Sequence, residues 1–61
     1  MLEYCKTILV RVSFDARLFE KELRKAIRQL LSDELRELRQ WCYATFRSQY
    51  QIILDRCFPG A

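Results

Sequence analysis

The stretch DARLFEKELRKAIRQLL, from Asp15 to Leu31, decides the fold class of this 61-residue chain. Its apolar residues recur at three- and four-residue intervals, which places them on one face of a helix that turns by about 100° per residue. Its interior is rich in Glu, Lys, Leu, Arg and Ala, which are strong helix formers. Ser13 and Asp15 are both suitable N-cap residues. We therefore predict a helix over residues 15–31.

A second helical pattern follows almost at once. Ser32 precedes two acidic residues, and this order suits the N-cap and the positive end of a helix dipole. Apolar residues continue at helical spacing to Ile53, and a Pro-Gly pair at residues 59–60 ends the pattern. The polar stretch 47–49 is where this element could kink. We predict a helix over residues 33–57 that folds back on the previous helix, because the connection is very short.

The first dozen residues fit two structures. Four β-branched residues between positions 7 and 12 favour a strand. The spacing of Cys5, Leu9 and Val12 favours a helix, and a single strand would find no second strand to pair with in this chain. We favour a helix over residues 2–12.

The complete prediction is an all-α fold in one domain over residues 1–61. It is a small three-helix bundle with helices at about 2–12, 15–31 and 33–57. A chain of this size buries only ~60% of the surface that its unfolded form exposes. Because the chain has more large aliphatic and aromatic side chains than one small bundle can turn inward, we expect a homo-oligomer, most simply a two-fold dimer. The expected interface lies on the first helix and the outer edge of the third, at Leu2, Tyr4, Trp41, Tyr50 and Leu54.

The composition argues against catalysis. The chain has no His, so a Cys nucleophile would lack its usual partner. Gly60 is the only glycine, which excludes a glycine-rich phosphate loop. The three widely spaced cysteines cannot supply the four ligands of a usual zinc site, and we expect them to be small buried hydrophobic residues. We predict that the protein is not an enzyme and holds no metal or cofactor.

Charge is unevenly distributed over the second predicted helix. Its basic residues lie opposite the apolar face, with Glu20 and Glu22 on the two flanks. Such a face can contact phosphates or an acidic partner. It can equally be a solvated face with weak ion pairs from Glu20 to Arg24 and from Glu22 to Lys25. The candidate contact residues are Arg17, Lys21, Arg24, Lys25 and Arg28.

The segment Thr7-Ile8-Leu9-Val10-Arg11-Val12-Ser13, followed by two helices, resembles the ribbon and first cap of ribbon-helix-helix DNA-binding proteins. The resemblance covers residues 6–46. It implies a dimer whose N-terminal strands pair and enter the major groove. Thr7, Leu9 and Arg11 would then face the bases. This resemblance provides the alternative to a helical N-terminus.

The longest apolar run has four residues, and the N-terminus lacks the basic start of a secretory signal. We therefore expect no membrane segment and a cytoplasmic location. The leading hypothesis is a non-catalytic module for protein–protein interaction or self-assembly. The alternative is a dimeric nucleic-acid-binding protein that uses the basic face of the second helix or an N-terminal ribbon.

Overall fold

The computed structural model describes residues 1–58, and every regular element in that range is a helix. Helix α1 spans Leu2–Arg11, α2 spans Ala16–Gln29 and α3 spans Ser32–Cys57. The predicted all-α fold with three helices is therefore confirmed, and its boundaries agree to within two residues. The predicted end of the last helix at Pro59 and Gly60 lies outside the described residues.

The N-terminal strand required by the ribbon-helix-helix resemblance is wrong. Thr7 lies within α1, where its hydroxyl donates to the carbonyl of Glu3 at 3.0 Å, one helical turn earlier. Cys5 and Leu9 are buried on the inner face of this helix. The apolar spacing prevails over β propensity because a helix can cover this face against α2 and α3, whereas a lone strand would leave its backbone groups unpaired.

Side-chain caps determine where α2 and α3 begin. The carboxylate of Asp15 accepts hydrogen bonds from the backbone amides of Arg17 and Leu18 at 2.9 and 3.2 Å. Asp15 is thus the N-cap of α2. The expected cap of α3 is wrong, because Ser32 is already its first helical residue. The preceding amide, that of Leu31, donates instead to the carboxylate of Glu34 at 3.2 Å.

Helix α3 is sharply bent at Tyr50, whose backbone dihedrals of φ −131° and ψ 30° are not helical. A straight helix of 26 residues would measure about 39 Å, whereas the longest axis of the protein is 26 Å. The hydroxyl of Tyr43 donates to Asp55 at 2.5 Å, although residues twelve apart in a straight helix are about 18 Å apart. We call residues 32–49 the first limb of α3 and residues 51–57 its second limb. The bend follows directly after the polar stretch 47–49, which the sequence marks as the place where a helix otherwise continuous to residue 57 could kink.

Two sets of contacts hold the bend. The buried ring of Phe19 on α2 packs against the first limb and against the bend itself, with centroid distances of 4.9 Å to Phe46 and 4.4 Å to Tyr50. The carbonyl of Ser13, between α1 and α2, accepts hydrogen bonds from the hydroxyl of Tyr50 and, at 3.1 Å, from the amide of Gln49. The bend is therefore held by α2 and by the loop between α1 and α2. The buried core comprises Cys5, Leu9, Phe19, Leu23, Ala26, Leu30, Leu38, Cys42, Phe46, Tyr50, Ile53, Leu54, Cys57 and Phe58.

The second limb offers a matched test of the bend. Leu54 is completely buried, whereas Ile52 is 75% exposed. We expect Leu54→Ala to lower the free energy of unfolding by about 2–5 kcal/mol, as for other buried leucines. Ile52→Ala should change it by less than about 0.5 kcal/mol. Urea denaturation followed by circular dichroism measures both. Similar effects of the two substitutions would contradict the inward fold of the second limb.

The bond from Tyr50 to Ser13 can be tested by removing one oxygen. We expect Tyr50→Phe to destabilise the fold by about 0.5–1.5 kcal/mol, which is the usual net contribution of a hydrogen bond. Tyr4→Phe is the control, because the Tyr4 hydroxyl is exposed and makes no hydrogen bond within residues 1–58. Equal unfolding midpoints for wild type and Tyr50→Phe would show that the loop and the bend are not joined in this way.

Candidate binding surfaces

The three cysteines lie inside the protein and are not paired with one another. Burial raises the pKa of Cys42 to about 12, and it also raises the pKa values of Cys5 and Cys57. The thiolate is the form that attacks substrates and binds metals. These thiols therefore act as small apolar groups, as predicted. Within residues 1–58, no group of three His, Cys, Asp or Glu side chains is arranged to hold a metal ion.

Helix α2 carries the net positive charge of the protein. It contains five basic and two acidic residues, whereas the rest of the chain has six of each. All five basic side chains are exposed, on the face opposite the buried residues Phe19, Leu23 and Ala26. We call this set the basic stripe, and it consists of Arg17, Lys21, Arg24, Lys25 and Arg28.

Glu20 flanks the basic stripe, and two arginines neutralise it. One carboxylate oxygen accepts from Arg24 at 2.9 and 3.2 Å, and the other accepts from Arg56 at 3.3 Å. The hydrogen bond to Glu20 raises the pKa of Arg24. Arg56 belongs to the second limb of α3, and the bend brings it beside α2. The positive surface thus extends beyond α2 itself.

A groove of about 230 Å³ separates α1 from α2. On the α1 side it is lined by Met1, Tyr4 and Ile8, and on the α2 side by Glu22 and Lys25, among others. Met1 and Tyr4 are 64% and 63% exposed. Glu22 and Lys25 are three residues apart on one helix, yet they do not form the predicted ion pair. The groove therefore combines exposed apolar groups with an acid and a base that do not pair with each other.

The predicted interface residues fall into two groups. Tyr4 is exposed, Leu2 is half-buried against the core, and Trp41 is half-buried with the Lys6 ammonium 5.7 Å from its ring centroid. Tyr50 and Leu54 are only 8% and 0% exposed. Their assignment to an outer interface is wrong, because the bend turns both side chains into the core.

Sequence reasoning missed the groove residues Met1, Ile8 and Glu22. One signal was present, since Met1, Tyr4 and Ile8 are spaced at i, i+3 and i+7. This spacing forms a second apolar row beside the buried row of Cys5 and Leu9. The position of Glu22 opposite that row depends on how α1 and α2 pack.

Comparisons with protein-family models, with curated proteins and with solved structures each found no match to this chain. Within residues 1–58, none of the helices combines the length and the apolar character that crossing a bilayer requires.

Tyr43 and Asp55 join the two limbs of α3 and form a titratable contact. The hydrogen bond to Asp55, followed by desolvation, raises the pKa of Tyr43 above its usual range. The guanidinium of Arg39 lies 5.4 Å from the Tyr43 ring centroid, and its charge acts in the opposite direction. Because the folded protein favours the neutral phenol, this contact stabilises the fold below the unfolded pKa of about 10. That stabilisation is lost as the pH rises through the higher pKa of the folded state.

We expect Asp55→Asn to lower the pKa of Tyr43, because the substitution removes the carboxylate that raises it. Nuclear magnetic resonance of the Tyr43 ring carbons as a function of pH measures the change. Asp33→Asn, at the exposed first turn of α3, is the control and should leave the titration unchanged. An unaltered Tyr43 titration in Asp55→Asn would contradict the contact between the limbs.

Proposed function

We propose that this protein is a non-catalytic cytoplasmic interaction module that self-associates through the groove between α1 and α2. The observation that carries the proposal is the composition of this groove. It exposes Met1 and Tyr4 beside Glu22 and Lys25. Three unpaired thiols are consistent with a reducing compartment, which supports the cytoplasmic assignment. Their burial in the protonated form supports a role without covalent catalysis.

The apolar side of the groove favours a protein partner. A 61-residue chain without disulfides or metal rarely gains more than ~3–5 kcal/mol from its own core. Large apolar side chains left in water add nothing to that stability. Tyr4 is especially suited to an interface, because its ring is apolar and its hydroxyl can stay hydrated. Covering Met1 and Tyr4 with a second copy would extend the core across the interface.

The charged side of the groove favours a second copy of the same chain. In a two-fold dimer each contact occurs twice, so Glu22 of one copy can pair with Lys25 of the other and the reverse. Such a groove is complementary to itself in charge. Four of the five members of the basic stripe do not line the groove. Repulsion between the two stripes is therefore limited.

Sedimentation equilibrium over a range of concentrations tests self-association. We expect a dimer that dissociates on dilution, and we expect Tyr4→Ala to weaken it by at least about tenfold, as for an anchoring aromatic residue. Phe14→Ala is the control, because Phe14 is exposed but does not line the groove. A 7.4 kDa monomer at every concentration would rule out the proposal.

A charge exchange tests the orientation of the two copies. We expect Glu22→Lys and Lys25→Glu each to weaken the dimer, because each brings like charges together across the interface. The double variant Glu22→Lys/Lys25→Glu should restore it, since the opposite charges meet again. Failure of the double variant to recover, with an intact helical circular dichroism spectrum, would contradict the two-fold pairing.

A further inference from the structure

We propose that the basic stripe on α2 binds the phosphate backbone of double-stranded nucleic acid. This inference does not depend on self-association, because it rests on a different face of α2. Only Lys25 borders both surfaces. The other members, Arg17, Lys21, Arg24 and Arg28, do not line the groove.

The dimensions and charge of the stripe fit a phosphate backbone. From Arg17 to Arg28 it extends along about 16 Å of helix axis. A duplex carries one negative charge per ≈ 1.7 Å of its own axis, so roughly ten phosphate charges occupy the same length. Within residues 1–58, four of the five basic side chains form no ion pair, and the fifth, Arg24, shares Glu20 with Arg56.

The inner face of α2 argues against a membrane as the partner. Phe19, Leu23 and Ala26 are buried in the core. A helix that binds in the plane of a bilayer must insert its apolar face among the lipids. Helix α2 cannot do so without unfolding the protein. Its exposed face carries five basic side chains and only one large apolar side chain, that of Leu18.

The outer face of α2 also differs from a typical protein interface. Tight protein interfaces depend on buried aromatic or aliphatic anchors. The only large apolar side chain exposed within Ala16–Gln29 is Leu18, which is 38% exposed. Three members of the stripe, Arg17, Arg24 and Arg28, are arginines, whose planar guanidinium groups match phosphate oxygens. The stripe is therefore better suited to phosphates than to a folded protein.

The contacts should be independent of base sequence. Two of the first three amides of α2, those of Arg17 and Leu18, are already bonded to Asp15, so we assign the phosphate contacts to side chains. Contacts to phosphates position a protein on a duplex without reading its bases. Each neutralised phosphate contributes about −0.9 to the slope of log K against log salt concentration. With four of the five members of the basic stripe each bound to one phosphate, we expect log K to fall with log salt concentration with a slope of about −4.

Fluorescence anisotropy with a labelled duplex of about 20 base pairs tests the proposal, with Arg17→Glu/Arg28→Glu as the stripe variant. The matched control is Arg36→Glu/Arg47→Glu, which reverses two exposed arginines on α3 and changes the net charge equally. We expect binding at low salt with the slope above. The stripe variant should bind at least about tenfold more weakly, and the control less than about threefold. Arg17→Gln/Arg28→Gln replaces the stripe variant if circular dichroism shows that the latter does not fold.

Three results would overturn the proposal. The first is the absence of duplex binding by the wild type at low salt. The second is an equal loss in the stripe variant and the control, which would assign binding to net charge rather than to the stripe. The third is tighter binding to polyglutamate or to vesicles with anionic lipids than to the duplex, which would identify an acidic protein or a membrane as the partner.

Discussion

The packing of the Phe19 ring against Phe46 and Tyr50 is the contact on which the rest of the structure depends. One side chain of α2 contacts the first limb of α3 at Phe46 and the bend itself at Tyr50. Through this contact the second limb returns to the core and buries Ile53 and Leu54. The same contact commits the inner face of α2 to the core. The outer face and the groove beside α1 are therefore what α2 presents to other molecules.

The two proposed surfaces share Lys25, and this links their energetics. If Glu22 of a second copy pairs with Lys25, one cation of the basic stripe is partly neutralised. The other four members remain available, because they do not line the groove. Self-association would then reduce the affinity of each copy for phosphates slightly, while two linked copies would offer two stripes to one long duplex. Linked sites raise overall affinity only where both can bind at once.

Sequence periodicity was sufficient to identify the three helices and the basic stripe, because these depend on spacing within one segment. Whether residues 7–13 form a helix or a strand depended on whether another strand was available to pair with them. The extent of the bend could not be predicted from residues 47–49, because it depends on Phe19 and on the Ser13 carbonyl, which are distant in the chain. Without the bend, the sequence pattern places Tyr50 and Leu54 on the surface, whereas the bend buries both side chains. The groove was missed because it exists only once α1 and α2 are packed together.

The bend at Tyr50 also allows a second arrangement in which the apolar residues of the second limb can be buried. Neither Gly nor Pro occurs within α3, so the local sequence is compatible with a straight helix. A straight α3 would carry the second limb out of its own core, and Leu54 would require the core of another molecule to cover it. Exchange of a terminal segment about a hinge is the geometry of domain swapping. The same contacts that close the monomer would then hold two chains together.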